Sequence, residues 1–188
     1  MVNIILASAS PRRKQLLEWA EIPFKVVVKE TDETFPAGLK VGEIAIHIAK
    51  QKALAVQSVV AADSIILAAD TIVVLKGRII GKPKDRADAV RIISDLSGQK
   101  HVVITGVVII RGKKEVSFAD ATDVYFHELS REQIEFYVDK YKPYDKAGAY
   151  AIQEWIGVVG IKSVFGDFYN VMGLPVSRVV RALEKFSS

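Results

Sequence analysis

Residues 2–20, VNIILASASPRRKQLLEWA, contain the pattern that decides the fold. Their start, Val2–Leu6, is apolar apart from Asn3 and predicts a strand buried on both faces. The small residues from Ala7 to Ser10 predict a turn, after which Pro11 suits the first position of a helix with Ser10 as its N-cap. A strand, a short turn and a helix start aim backbone N–H groups at an anion, so this segment is a candidate anion-binding turn.

Helical and strand periods alternate along the rest of the chain. Apolar spacing, N-cap residues and the capping-box pair Ser130 and Gln133 predict helices over 41–58, 85–97 and 131–138, and Pro175 predicts a last helix that ends near Phe186. Runs rich in β-branched residues predict strands over 24–28, 64–75, 101–111, 115–127 and 150–164, with a turn over 166–170. Since helices alternate with strands early and a long hairpin fills the middle, we predict an α/β protein whose mixed sheet is covered by helices.

Length and charge limit the organisation and the partners of the chain. Its 188 residues, half of them hydrophobic, suffice for one well-filled core, so we expect a single domain over residues 1–188, with two lobes. The 26 basic and 22 acidic residues give a net charge of only +4, and the densest basic cluster spans Arg12–Lys14. That distribution favours a small anionic ligand over nucleic acid.

Cysteine usage and hydropathy indicate the compartment. The chain has no cysteine, which excludes disulfide bonds and thiolate metal sites and suits a reducing compartment. No uninterrupted apolar run approaches the roughly 20 residues of a membrane-spanning helix. We therefore expect a soluble, cytoplasmic protein that does not bind a membrane.

Asp70 is the most informative single residue because it interrupts the apolar run that begins at Ile65. An ionisable side chain there is costly unless it binds a positive group, although a surface aspartate where two strands meet would explain it equally well. Other polar residues in loops or at element ends are either carboxylates that suit a hard divalent cation or cations and donors that suit phosphate oxygens. They are Ser8, Arg12, Arg13, Glu33, Lys52, Lys82, Asp145 and Lys146. A nucleoside triphosphate with Mg²⁺ requires both kinds of group.

Five motifs follow one another along almost the whole chain. They are LASASPRR at 6–13, ADTIV at 69–73, GKP at 81–83, DKAGAYAIQ at 145–153 and GDFYNVMGLP at 166–175. Together they resemble the Maf family of nucleotide pyrophosphatases. The resemblance implies a fold similar to that of inosine triphosphate pyrophosphatases, an elongated mixed sheet with a cleft between two lobes. It also implies house-cleaning hydrolysis of unwanted nucleotides to monophosphate and pyrophosphate, with a divalent cation, Mg²⁺ or Mn²⁺.

The resemblance assigns roles to particular residues. Asp70 corresponds to the family's catalytic proton acceptor. Arg12, Thr71 and Gln153 correspond to positions associated with the branch that acts on dTTP and UTP.

The remaining candidates follow from the needs of the chemistry. We expect Glu33 and Asp70 to hold the metal, and the substrate-binding groups Ser8, Arg12, Arg13, Lys52 and Lys82 to bind the phosphates. A metal-bound carboxylate is a weaker base, so whether Asp70 acts as base, metal ligand or both stays open.

Gln153 offers a physical basis for choosing a pyrimidine. Its amide presents a donor beside an acceptor, which matches the N3–H and the neighbouring carbonyl of uracil or thymine. Cytosine presents the opposite pattern and would need the amide flipped. The alternative is that Gln153 is a surface glutamine that plays no part in recognising the base.

A different class of function stays open. The family takes its name from inhibition of septum formation, so the resemblance also implies an effect on cell division. The chain would then be a nucleotide-binding regulator that acts through a protein partner. The resemblance further implies that the chain can form a homodimer.

Overall fold

The computed structural model describes residues 3–186, which form seven strands and seven helices. The strands are β1 (Ile4–Leu6), β2 (Phe24–Val26), β3 (Ile65–Leu75), β4 (Arg78–Ile80), β5 (Lys100–Arg111), β6 (Lys114–Phe126) and β7 (Ile161–Phe165). The helices are α1 (Pro11–Trp19), α2 (Val41–Gln57), α3 (Arg86–Leu96), α4 (Arg131–Tyr141), α5 (Trp155–Gly160), α6 (Phe168–Met172) and α7 (Val176–Glu184). A single 3₁₀ turn spans Ala147–Ala149.

The strands form one mixed sheet, which confirms the predicted fold class. Their order is β2-β1-β3-β5-β6-β7, and β4 pairs with β3 outside this path. β1 lies parallel to both β2 and β3, with Ile4 opposite Phe24 and Ile65. β4 and β7 run antiparallel to β3 and β6. The early βα segments therefore supply the parallel part, and the hairpins supply the antiparallel part.

The chain divides into two compact units. The first comprises the described residues up to Thr71, together with Thr105–Asp120 and the described residues from Gly173 onward. In its core, the alanine-rich face of α2 (Ala49, Ala53) packs against β-strand residues such as Ile66 and Val108. The second unit comprises Ile72–Ile104 and Ala121–Met172. In that unit α3 packs against α4 and the 3₁₀ turn.

Gly106 on β5 lets helix α2 approach the sheet closely. A Cβ atom added at Gly106 would lie 2.3 Å from the backbone of Ala45 and Ile46. No side chain fits in that space, so the backbone of α2 lies directly on the strand. This contact positions the helix that carries Lys52.

Two N-caps predicted from the sequence differ in their side-chain bonds. Ser130 forms the predicted capping box: its hydroxyl accepts from Gln133 N–H (3.3 Å), and the Gln133 side chain accepts from Ser130 N–H (2.9 Å). Ser10 occupies the N-cap of α1 as predicted, with Pro11 following, but its side chain makes no capping hydrogen bond.

The sequence-based prediction was wrong in two places. Residues 150–164 were predicted as one strand, but β7 begins only at Ile161, 150–154 form no strand and 155–160 form α5. In α5, Ile156 and Gly160, four residues apart, are buried while Val158 is exposed. A Cβ at Gly157 would lie 1.6 Å from the carbonyl oxygen of Ile152, so glycine permits the chain to fold back into a helix here.

Residues 166–170 were predicted as a turn, but α6 begins within them. The Asp167 carboxylate accepts from the N–H groups of Tyr169 (2.7 Å) and Asn170 (3.3 Å), as N-terminal acidic residues of helices do. The predicted start of the first strand at Val2 lies outside the described residues. Across residues 3–186, none of the helices has the length and apolar character needed to cross a membrane.

Candidate functional site

Two carboxylates meet at one ammonium group in the first unit. Lys52 Nζ on α2 lies 2.7 Å from Glu33 Oε1 and 2.7 Å from Asp70 Oδ1. The Lys52 and Asp70 side chains are 19% and 16% exposed, whereas Glu33 is 48% exposed. The positive group that the apolar surroundings of Asp70 required is therefore Lys52.

The backbone presents these three side chains from different elements. Asp70 follows five buried residues of β3, Lys52 lies on α2, and Glu33 lies in the loop between β2 and α2. Glu33 has a positive φ of 48°, a conformation that costs a side-chain-bearing residue about 1–2 kcal/mol. Gln51 Nε2 on α2 donates to the carbonyl oxygen of Thr34 (3.0 Å), which holds the loop beside the helix.

Arg13 lies in the interior of the first unit and binds neutral acceptors. Its Nε donates to the carbonyl oxygen of Gly173 (2.8 Å), Nη1 to Ser8 Oγ (3.0 Å) and Nη2 to Thr71 Oγ1 (3.0 Å). Burial lowers the pKa of Arg13 to about 10, against the opposing effect of Asp70. The guanidinium is therefore charged at neutral pH, and three of its five N–H groups hold the surrounding elements together.

Ser8 and Thr71 contact Arg13 and belong to the same hydrogen-bonded network. Ser8 Oγ also accepts from Ser10 N–H (3.2 Å), so this buried hydroxyl lies inside the predicted anion-binding turn. Thr71 Oγ1 lies 2.9 Å from the hydroxyl of Thr105, which is fully buried. The structure thus brings together Ser8, Arg13 and Thr71, three of the predicted substrate-binding residues.

The other predicted substrate-binding residues differ in exposure. Arg12 precedes Arg13 on α1 and is half-buried. Lys82 and Gln153 belong to the second unit, and both are exposed. Long exposed cations suit the phosphates of a ligand that arrives from solution.

A second ion-paired cluster surrounds Lys146 in the second unit. Lys146 is 11% exposed, and its Nζ lies 2.7 Å from Asp145 Oδ1 and 3.6 Å from Glu154 Oε1. The hydroxyl of Tyr137, a fully buried residue of α4, donates to Glu154 Oε2. The cluster therefore joins α4 to the residue that follows Gln153.

Sequence reasoning missed several of these contacts. Thr105 interrupts an apolar run as Asp70 does, but threonine is common in strands and gave no signal. Tyr137 lies one turn after Ile134 and follows the apolar spacing of α4, so it resembled an ordinary core residue. Glu154 stands between the conspicuous Gln153 and Trp155 and could not be assigned a partner from the sequence.

The residues around Lys52 have the chemistry of a site for a hard cation. Glu33 and Asp70 both direct carboxylate oxygens at one positive charge, and such oxygens are the ligands that Mg²⁺ and Mn²⁺ prefer. In the part of the chain that the structure describes, there is no group of three or more His, Cys, Asp or Glu residues that could hold a metal ion. Two carboxylates suit Mg²⁺ when a phosphate substrate and water complete its coordination.

A family model described as Maf-like protein matches residues 3–186. The chain belongs to the Maf family. Among curated relatives, the dTTP/UTP pyrophosphatase of Cytophaga hutchinsonii is 52% identical over 97% of this chain and 84% of its own length. The dTTP/UTP pyrophosphatase of Bacillus cytotoxicus is 47% identical over 100% of this chain and 97% of its own length. Family membership thus extends over both units.

A solved structure supports the fold. The Ham1 protein of Staphylococcus aureus has a TM-score of 0.53 and 15% identity, over 97% of this chain and 98% of its own chain. At that identity the likeness concerns the fold alone. It agrees with the mixed sheet flanked by helices that the Maf resemblance implied.

Proposed function

We propose that this chain, acting as a single domain over residues 1–188, hydrolyses dTTP and UTP to the nucleoside monophosphate and pyrophosphate. The observation that carries the proposal is the meeting of Glu33 and Asp70 at the Lys52 ammonium. This arrangement gives a Maf-family chain two carboxylates and a cation in one place. The curated relatives named above supply the substrate.

The chain's own residues account for the main steps. Water attacks the α-phosphorus, the bond from that phosphorus to the α–β bridging oxygen breaks, and its electron pair leaves with pyrophosphate. Asp70 accepts the proton of the attacking water, since it is the half-buried carboxylate of the cluster. Lys52 and Arg12 stabilise negative charge on the phosphates.

Arg13 has a different part in this proposal. Its hydrogen bonds to Ser8, Thr71 and the carbonyl of Gly173 make it a support for the anion-binding turn. Its buried charge still attracts a polyphosphate over a short distance, because little water screens it. The turn between β1 and α1 can then offer backbone N–H groups to the phosphates.

A divalent cation completes the proposed site. Glu33 and Asp70 would hold Mg²⁺ or Mn²⁺, which when bound supplies charge neutralisation at the phosphate oxygens and acidifies water. In that state the Lys52 ammonium, which now binds both carboxylates, would be available to phosphate oxygens. The metal and the nucleoside triphosphate are thus the partners that the proposal requires.

Asp70→Asn tests the proposal in a nucleotide panel that resolves pyrophosphate from orthophosphate. The wild type should release pyrophosphate from dTTP and UTP in the presence of Mg²⁺ or Mn²⁺. The variant should lose turnover by about a thousandfold, because the amide cannot accept the proton. The mutated residue keeps its size, so the thermal midpoint should stay close to that of the wild type.

Asp63→Asn is the matched control, because Asp63 is an exposed aspartate of the same unit just before β3. Near-normal turnover in Asp70→Asn would remove Asp70 from the reaction. Tight binding of UTP by the wild type without any pyrophosphate release would contradict the proposed enzymatic activity and favour a nucleotide-binding regulator. Orthophosphate as the first product would contradict cleavage between the α and β phosphates.

A further inference from the structure

Gln153 lies in a tight turn that leads into α5. Ala151 and Ile152 are buried, 4% and 5% exposed, whereas Gln153 is exposed. Glu154 N–H donates to the carbonyl oxygen of Ala151 (3.1 Å) and closes the turn. The direction of the Gln153 side chain is therefore set by how firmly residues 151–154 are held.

One hydroxyl group holds this turn on both sides of Gln153. Tyr137 Oη accepts from Ala151 N–H (3.1 Å) and donates to the carboxylate of Glu154. Tyr137 is fully buried, and its ring stacks on Tyr141 of the same helix with centroids 5.0 Å apart. Because the ring is fixed within α4, its hydroxyl is a rigid anchor for the turn.

Lys146 adds a second anchor through Glu154. Its ammonium lies 3.6 Å from Glu154 Oε1 and is nearly buried, so solvent screens the ion pair weakly. The same loop is also fixed further along, where Gly148 N–H donates to the carbonyl oxygen of Gly81 (3.1 Å), next to Lys82. Two predicted substrate-binding residues of the second unit, Gln153 and Lys82, thus adjoin one hydrogen-bonded loop.

We propose that Tyr137 and Lys146, acting through Glu154, are positioning residues that fix the orientation of Gln153 for base selection. The proposal rests on the proposed function and on the hypothesis, drawn from the sequence, that Gln153 pairs with uracil or thymine. Neither positioning residue touches the base. Their contribution is to prevent the turn from adopting orientations in which the amide would accept cytosine equally well.

The physical reason is that an amide discriminates only when its direction is fixed. A glutamine that rotates freely can present its oxygen and nitrogen in either order, which suits uracil in one orientation and cytosine in the other. Loss of the Tyr137 hydroxyl removes two hydrogen bonds to the turn and leaves the ring packing in place. Discrimination should then fall more than overall catalysis.

The test compares kcat/KM for UTP and CTP in Tyr137→Phe. We expect the UTP/CTP ratio to fall by about fivefold, the effect of one ordinary hydrogen bond, with most of the change in KM. In a Gln153→Ala background, Tyr137→Phe should cause no further fall, since both substitutions act on the same interaction. Glu154→Leu should lower the ratio similarly, and Glu154→Gln, which keeps an oxygen acceptor for Tyr137, should restore much of it.

Tyr150→Phe is the matched control. Tyr150 is also buried in the second unit, but its hydroxyl lies 2.7 Å from His101 Nε2 and makes no contact with the turn through that bond. It should leave the UTP/CTP ratio unchanged even if it lowers the thermal midpoint as much as Tyr137→Phe does. A ratio that fell equally in both variants would overturn the positioning role.

Two further outcomes separate this positioning role from the base-reading role of Gln153, while pyrophosphate release from UTP tests the proposed function itself. If Gln153→Ala abolishes discrimination while Tyr137→Phe and Glu154→Leu leave it intact, the positioning role is overturned and the base-reading role of Gln153 stands. If Gln153→Ala leaves the ratio unchanged, both are overturned. If Tyr137→Phe fails to fold, the Glu154 pair of variants decides the question alone.

Discussion

At the scale of single residues, Lys52 satisfies two carboxylates at once. Its ammonium lies 2.7 Å from Glu33 and from Asp70, and the Lys52 and Asp70 side chains are both largely withdrawn from solvent. Without the lysine, two negative charges would face each other in a region where water screens them poorly. In the proposed function, the same cation would be available to phosphate once the carboxylates held a metal.

Lys52→Gln should therefore lower kcat/KM for UTP by about a hundredfold, the usual effect of removing one group that stabilises developing charge. The measurement is steady-state pyrophosphate release at several Mg²⁺ concentrations. Lys50→Gln is the matched control, since Lys50 lies on the same helix and pairs with Glu115, which is far along the chain on β6. An equal loss in both variants would show that the effect comes from α2 as a whole.

Asp70 and Arg13 show what a sequence can reveal about individual site residues. Asp70 stood out because a carboxylate in an apolar run needs a positive partner, and that requirement can be read from neighbouring residues alone. Arg13 was expected to bind phosphate, and this stays a prediction. In the structure, three of its N–H groups donate to Ser8, Thr71 and the carbonyl of Gly173. The acceptors of an arginine depend on contacts 160 residues apart, which no local pattern contains.

At the scale of elements, the serine N-caps of α4 and α1 should contribute differently to the free energy of unfolding. Ser130→Ala should lower the free energy of unfolding by about 1 kcal/mol, because the hydroxyl accepts a hydrogen bond from Gln133 N–H. Ser10→Ala is the matched control and should cost much less, since the Ser10 side chain makes no capping bond. Urea unfolding of both variants measures the difference, and equal losses would contradict this account of the caps.

Helices and strands were predictable where capping residues or hydrophobic period marked them. The capping box of α4 and the N-cap of α3, where Asp85 accepts from Asp88 N–H, both formed as expected. The failure at 155–160 has a physical cause: the β-branched pair Val158 and Val159 favours a strand, but Gly157 lies so close to the carbonyl of Ile152 that the chain folds back into a helix. A six-residue element contains too few periods for the sequence to distinguish the two.

At the scale of the whole molecule, stability should depend on pH through His101. The ring is 1% exposed, packs edge-on against Phe126 and lies beside the Tyr150 hydroxyl, and burial lowers its pKa from 6.5 to about 4. Between pH 6.5 and pH 4, the His101 ring therefore binds a proton more readily in the unfolded chain than in the folded one. The free energy of unfolding should fall as pH decreases from 6.5 to 4, by about 3 kcal/mol, and this contribution should level off below pH 4.

Urea unfolding from pH 7 to pH 4 measures this dependence in the wild type and in His101→Gln, which keeps a polar partner for Tyr150. The two curves should converge as pH falls, because the variant lacks the titrating ring. His127→Gln, the same substitution at an exposed position, serves as the reference variant. Parallel curves for the wild type and His101→Gln would contradict the assignment.

The contact of Gly106 with the backbone of α2 affects how freely the amino-acid sequence of this protein can change during evolution. Lys52 lies about two helical turns beyond Ala45, and β5, which carries Gly106, adjoins the strand of Asp70. Main-chain atoms therefore set the spacing between the ammonium and its carboxylate, so core side chains can be exchanged over many generations without altering it. A lineage that replaced Gly106 would have to shift α2 away from the strand, and the spacing of the ion pair would change with the helix.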